Sequence, residues 1–501
     1  MPERHRPVVR ARWRSRVPGA GGIVLAVAWL AYFAALQWSV VRYRIPIVAV
    51  LTLAAVGLAL WQWRGWRVVP SRGAVVLMLA GSALATAAVP LFSYLAPTGL
   101  AVATTALVAA PLACAVALWS GRRRGATIAL GAAVAGYAVA AATAVVSSPR
   151  PRIDVWVTLQ QASDGLARLE NFYAMTWTGS PGIQDAFTYL PWTVVLLAPG
   201  RWLAGDVRWA LAVWTLLAAL AAVLLTRGAA ADRGSATADA AAGQVAGASA
   251  AAGQVAGPSA AAGQVAGASV AAAKDDAPRR RWTAAVVVCL LLLAPGTLTQ
   301  LDQAWTEPLL LAGIAWWAVL VRRGHAWWAV VPLAMACASK QHLALLLPVL
   351  LLWRPFGWQR TVATGALTGV LIAPWFLASP ADFVHDTVSL LVTFHPIKFA
   401  NTLYLLALNT FGVTLPFAVT GLVVLGTLAA VCLTVWRRQP DLASLLRWLA
   451  LVLLVANLVN KQAFYNQFWL VGALVVLSLA VPVSRPSSST SPSGYTVSPR
   501  R

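Results

Sequence analysis

Residues 126–146 read ATIALGAAVAGYAVAAATAVV, and residues 147–192 continue as SSPRPRIDVWVTLQQASDGLARLENFYAMTWTGSPGIQDAFTYLPW. The first stretch holds no charge and has the length at which a helix covers the roughly 30 Å of a bilayer's hydrocarbon core. The second is polar. It carries Asp154, Asp164, Glu170 and Asp185, four of the chain's 15 carboxylates in under a tenth of its length. An apolar helix thus delivers the chain to a membrane surface, where acids, Arg and aromatics are gathered.

Apolar runs recur on both sides of this pair. Spans are expected at 22–41, 46–62, 74–95, 98–119, 126–146, 207–226, 283–299, 306–321, 326–339, 342–353, 361–378, 414–436, 443–459 and 464–482. The chain is 60% hydrophobic with a mean hydropathy of +0.72, and its 11% charged residues compare with about 25% in soluble domains. The runs do not alternate apolar with polar residues, as the strands of a membrane barrel do. The expected fold class is an all-α polytopic membrane protein, a helical bundle of about 14 spans. Its polar loop, with short stretches at 164–173 and 190–203, is expected to lie along the interface as amphipathic helices.

The formal charge of +23 resolves into topology once the basic residues are located. With the amino terminus inside, most Lys and Arg fall in cytoplasmic segments. These include Arg4 to Arg16, the Arg122–Arg124 loop and the Arg437–Arg438 turn. That is the positive-inside bias, so no nucleic-acid partner is expected; both termini are placed in the cytoplasm of a plasma-membrane protein. Cys114, Cys289, Cys337 and Cys432 lie in apolar runs without paired spacing and read as core residues.

The chain divides into a basic tail (1–20), amino-terminal spans (21–146), the acidic loop (147–206), one span (207–226), a linker (227–282), a carboxy-terminal bundle (283–482) and a polar tail (483–501). The linker repeats AAGQVAGASA, AAGQVAGPSA and AAGQVAGASV at 241–270. Gln and Ser interrupt each decad and nothing larger than Val is available for a core, so a flexible cytoplasmic linker is expected.

Candidate chemistry collects on the outer side. Asp154 follows a span by about eight residues, which suits a carboxylate acting as general base toward an acceptor hydroxyl. Its bland alternative is a solvated loop acid. Gln300, Asp302, Gln303 and Glu307 share one outer turn, and Asn460, Tyr465, Asn466 and Gln467 another. Lys340, Lys398 and Lys461 stand on the outer side against the positive-inside bias, which suggests an anionic partner such as phosphate. Snorkelling to headgroups is the alternative for any one of them. No metal signature or Walker A sequence occurs, so no cofactor is expected and the activated group should arrive attached to a lipid.

Several segments together resemble the GT-C fold polytopic glycosyltransferases, especially the polyprenyl-phosphate-sugar-dependent, mannosyltransferase-like glycosyltransferase family 87. They are Asp154-Val155, the Gly165-Leu166…Glu170-Asn171-Phe172-Tyr173 run, and Phe187-Thr188-Tyr189-Leu190-Pro191-Trp192. Ser339-Lys340, Phe394-His395…Asn401-Thr402-Leu403 and Tyr465-Asn466-Gln467-Phe468-Trp469 complete the likeness, which covers roughly 126–482. The resemblance implies inverting transfer of a sugar, mannose-type, from a polyprenyl-phosphate donor to a lipid- or glycan-type acceptor outside the cytoplasm. It maps the catalytic base onto Asp154 and a cation near the donor phosphate onto Lys340. Glu170 and Asp185 would orient sugar hydroxyls, with Tyr189, His395, Lys398 and Lys461 completing the substrate-binding set. Four spans ahead of the usual one and the repeat linker depart from the family. The alternatives are a ligase or phosphotransferase for lipid-linked glycans and a secondary transporter or flippase. A transporter should carry polar residues at mid-membrane on broken helices.

Overall fold

The computed structural model describes residues 20–66, 68–122, 124–227 and 277–482. The basic tail at 1–20 (but for its last residue), nearly all of the repeat linker and the polar tail therefore lie outside the described residues. Among the described residues every regular element is helical, so the chain is an all-α membrane protein.

The first half comprises α1 (Ala20–Ser39), α2 (Ile45–Arg64), α3 (Arg72–Ala88), α4 (Pro97–Trp119), α5 (Gly125–Ser147), α6 (Asp154–Ala167), α7 (Trp192–Ala204) and α8 (Val207–Thr226). The second comprises α9 (277–292), α10 (Glu307–Arg322), α11 (Val330–Cys337), α12 (Leu347–Leu352), α13 (Gly357–Ala378), α14 (Leu403–Phe411), α15 (Phe417–Arg438), α16 (Leu442–Leu458) and α17 (Tyr465–Ser478). Seven helices, α1, α2, α4, α5, α8, α13 and α15, are long and apolar enough to cross a membrane. α3, α16, α17 and the stretch Gln341–Leu352 are apolar but shorter.

The apolar runs break where the backbone demands it. The run expected over 283–299 ends as a helix at 292. Pro295 and Gly296, the latter at φ +80°, turn the chain into the short helix Thr297–Asp302. The run expected over 74–95 stops at Ala88, before Pro90. The runs expected over 326–339 and 342–353 contain only α11 and a 3₁₀ stretch, Gln341–Leu346, leading into α12. In the polar loop the helix is Asp154–Ala167 rather than 164–173, because Leu169 adopts φ +61° and the chain re-enters as a 3₁₀ turn, Phe172–Ala174.

Small residues let α4 and α5 approach closely, as in membrane helix pairs generally. A Cβ on Gly136 would stand 2.3 Å from the Ala110 Cβ, and one on Gly125 the same distance from the Ala117 carbonyl oxygen. By contrast α13 and α15 bury only 11% of their apolar windows against protein and present Leu377, Phe417 and Leu422 outward, the positions that lipid would cover. The turns at the two ends of the bundle differ in character. One end is rich in Arg: the Arg438 guanidinium lies 5.9 Å from the Trp63 ring, and Arg354 N donates to Gln439. The opposite end carries the polar segments and is called the cap here.

The cap is anchored by Arg208, wholly buried at the start of α8. It pairs with Asp206 at 2.7 Å and donates to the carbonyls of Ala144, Val145 and Ser148 at the end of α5. Trp156 of α6 donates to Asp206. Three elements, α5, α6 and α8, are thereby tied together, which seats α6 on the bundle. A second tie is Asp386, 1% exposed, whose Oδ2 accepts from Phe187 N at 2.7 Å. Around it Phe172, Tyr173, Trp177, Phe187 and Phe383 pack ring against ring.

Gly136→Leu should lower the unfolding free energy by about 1–3 kcal/mol through overpacking. The check is the melting temperature of detergent-solubilised protein, and an unchanged value would contradict the close α4–α5 contact.

Candidate functional site

Broken helices and cap together leave a cavity of about 1660 Å³ at the cap end. Its walls come from the start of α6, the 176–185 loop, Tyr189, Trp305, Lys340, the 390–399 segment and the first turn of α17. Of the sequence-derived set, Asp154, Asp185, Tyr189, Lys340 and His395 line it.

Asp154 is the first residue of α6, where the free backbone N–H groups of a helix favour a carboxylate. Its Oδ1 accepts from Val155 N at 2.8 Å. Burial nevertheless dominates over these backbone hydrogen bonds and holds the carboxyl above the usual carboxylate range. A group so placed accepts a proton more readily than a free Asp. Gly182 faces it so closely that a Cβ there would lie 2.5 Å from Asp154 Oδ2. Only glycine leaves the carboxylate its space.

Lys340 sits in the turn between α11 and the 3₁₀ stretch, 8% exposed. The sequence placed it among lysines at the headgroup level. Instead it is drawn inward, because its Nζ donates to Oε1 of Glu307, itself wholly buried at the start of α10. The Thr306 hydroxyl lies 3.5 Å from Nζ, and the Tyr189 ring centroid 5.3 Å. Asn466 of α17 donates to the same Glu307 oxygen at 2.8 Å. Glu307 Oε2 has no partner among the described residues. Tyr189 lies between the two charged centres: burial first, then the charges of Glu307 and Asp154, push its phenol up.

The remaining candidates lie apart. Glu170 is exposed and pairs with Arg168 at 2.6 Å, because the chain reversal at Leu169 brings these two side chains together outside the cavity. The hydrogen bond to Arg168 holds the Glu170 carboxyl down. Lys398 is exposed beyond the wall. Lys461 Nζ donates to the Val392 carbonyl at 2.7 Å, so it braces the 390–399 segment while its neighbours Asn460 and Gln462 line the cavity. His395 is exposed at the rim, stacked on Phe394 with centroids 4.5 Å apart. Among the described residues no three His, Cys, Asp or Glu side chains converge as metal ligands would.

Sequence reasoning passed over Arg152, Trp305 and the pairing role of Glu307. The available signal for Glu307 was electrostatic: a Lys between two apolar helices needs a carboxylate, and Glu307 stands at the head of another.

Compared with known proteins, the chain matches no family model, no curated protein and no solved structure.

Glu307→Ala would leave Lys340 buried without its counter-ion and should cost about 3–5 kcal/mol in unfolding free energy. Replacing both residues together, as Glu307→Leu with Lys340→Met, should recover most of that loss. A single variant as stable as the parent would contradict the pairing.

Proposed function

We propose that the chain is a membrane glycosyltransferase of the GT-C kind. It would move a sugar, mannose-type, with inversion from a polyprenyl phosphate to a hydroxyl acceptor. One observation carries this reading: a proton-accepting carboxylate, Asp154, and an ammonium group, Lys340, line the same cavity at one end of a membrane bundle. The acceptor oxygen attacks the anomeric carbon while its proton passes to Asp154. The bond from that carbon to the phosphate oxygen breaks, and the electron pair leaves with the polyprenyl phosphate. Lys340 donates one N–H to Glu307 and a second, at 3.5 Å, to the Thr306 hydroxyl, which leaves a third for the departing phosphate. Such a leaving group is already an anion, so the scheme calls for no general acid. Asp185 stands at the cavity edge where it can take a hydrogen bond from a sugar hydroxyl. The Arg-rich end would face the cytoplasm and the cap the outside; the seven long apolar helices and the four shorter apolar stretches are the candidate crossings among the described residues.

A second reading, a secondary transporter for lipid-linked or free sugars, is favoured by the buried Lys340–Glu307 pair between short, interrupted helices. Reconstituted into liposomes, a transporter moves substrate across the bilayer unchanged, whereas a transferase consumes the lipid-linked donor and releases polyprenyl phosphate.

Asp154→Asn should lower donor turnover by about 10²- to 10⁴-fold at an unchanged melting temperature. Undiminished turnover would remove Asp154 from this role. In the parent, kcat/KM should rise with pH as Asp154 ionises, with its midpoint above the ordinary carboxylate range because burial raises that pKa. A midpoint at the value of a free Asp would contradict the buried base.

A further inference from the structure

The outer turns of the amino-terminal spans reach the cavity. Val40 and Val41, between α1 and α2, line it, and so do Phe92 and Tyr94, between α3 and α4. These four helices stand ahead of residues 126–482, the stretch that carries the family resemblance. Each turn is fastened to the second half of the chain by one buried polar side chain. Asn401, 4% exposed, donates to the Arg42 carbonyl at 2.7 Å and accepts from Arg44 N at 3.0 Å. Asp302, 1% exposed, accepts from Tyr94 N with both carboxylate oxygens, at 3.0 and 3.3 Å, and Gln303 donates to it as well. Arg42 donates to the Pro90 carbonyl at 3.1 Å, which joins the two turns to each other.

No cation lies within ion-pair distance of Asp302 among the described residues. Burial holds its carboxyl above the usual range, against the hydrogen bond from Tyr94 N. A buried carboxylate without a counter-ion is costly, and this one is committed to the turn that presents Tyr94. The Phe92 ring meets the Tyr94 ring edge to face, with centroids 5.1 Å apart and planes at 86°. Backbone and ring are thus fixed, whereas the phenol oxygen takes part in no hydrogen bond among the described residues. Burial first, then the charges of Asp302 and Asp154, push that phenol up, so it keeps its proton and can donate it. Tyr94 and Asp154 line the same cavity.

We propose that Tyr94 is an acceptor-binding residue: its hydroxyl holds the acceptor beside Asp154, and the amino-terminal spans are the acceptor wall of the cavity. Asp302 is a positioning residue that acts through the Tyr94 backbone. A phenol O–H both donates to and accepts from a hydroxyl, while Val40, Val41, Leu51 and Phe92, which share the lining, are apolar. An alcohol borne on an apolar stem fits such a surface. Lys340, which receives the donor phosphate, belongs to the turn after α11, a separate wall. This role rests on the glycosyltransferase reading and gives a task to the four helices that depart from the family pattern.

The test gives the full chain, in lipid nanodiscs, farnesyl phosphomannose as donor and octyl α-mannoside as acceptor. The products measured are octyl dimannoside, from transfer, and free mannose, from attack by water. Tyr94→Phe keeps the ring and removes the hydroxyl, so the ratio of transfer to hydrolysis should fall about 3- to 10-fold, the loss of one hydrogen bond. The KM for octyl mannoside should rise by a similar factor. A fault of folding alone lowers both products together and leaves their ratio unchanged. Asp302→Leu should lower the ratio likewise, whereas Asp302→Asn, which retains an oxygen for Tyr94 N, should hold it near the parent's. An Asp302→Leu ratio equal to the parent's would remove Asp302 from its positioning role, and Tyr94→Phe decides alone if that variant fails to fold. An unchanged ratio in Tyr94→Phe, or a parent that hydrolyses the donor without making octyl dimannoside, would overturn the acceptor wall while leaving the glycosyltransferase reading standing. A parent that consumes no donor would overturn both.

Discussion

The ion pair between Lys340 and Glu307 is the constraint on which the cap end of this protein depends. Two charges removed from water are expensive, and one removed without the other is worse. The pair therefore dictates how its surroundings fold. It holds the head of α10 against the turn after α11, and through Asn466 it holds the first turn of α17 to both. Tyr189 lays its ring over the ammonium group. Three segments far apart in the chain are thus fixed around one point, and the cavity is the space they leave. Short helices follow from this: α11 and the 3₁₀ stretch after it reach only as far as Lys340 must go to find its carboxylate.

Arg208 performs the corresponding task on the other side of the cavity. It caps the last carbonyls of α5 while paired with Asp206, which also receives the Trp156 indole. This joins α5, α6 and α8, so the start of α6 is a fixed point rather than a loop. Asp154 owes its position to that anchoring, and its room to Gly182. A carboxylate at a helix start is ordinarily easy to ionise. Here burial outweighs the helix, leaving a group suited to taking a proton.

Much of the membrane architecture was legible in the sequence, because long uncharged runs have few ways to satisfy their backbone except as helices. The expected spans at 98–119, 126–146 and 207–226 match α4, α5 and α8 to within a residue. Expectation and structure part where an apolar run contains a turn, as at Pro295-Gly296, since hydropathy averages over a break that a single φ angle decides. The charged residues were legible as a group but not as pairs. Glu170 and Lys398 belong to the same outer segments as the lining residues, yet local backbone turns send them elsewhere. Glu307 and Lys340 are 33 residues apart, and nothing in the spacing of either announces the other. Gln303 and Gln467 stood out in the sequence as members of two outer turns, and both line the cavity, though nothing in their spacing tied one turn to the other.

The account stands or falls on whether Asp154 and Lys340 act on a single bound molecule. The most direct measurement is an experimental structure of the chain in lipid nanodiscs with farnesyl phosphomannose bound. The account expects density in the cap cavity, with the phosphate against Lys340 and the anomeric carbon turned toward Asp154. A donor seated elsewhere, or a cavity in which these two side chains do not face the same ligand, would contradict it.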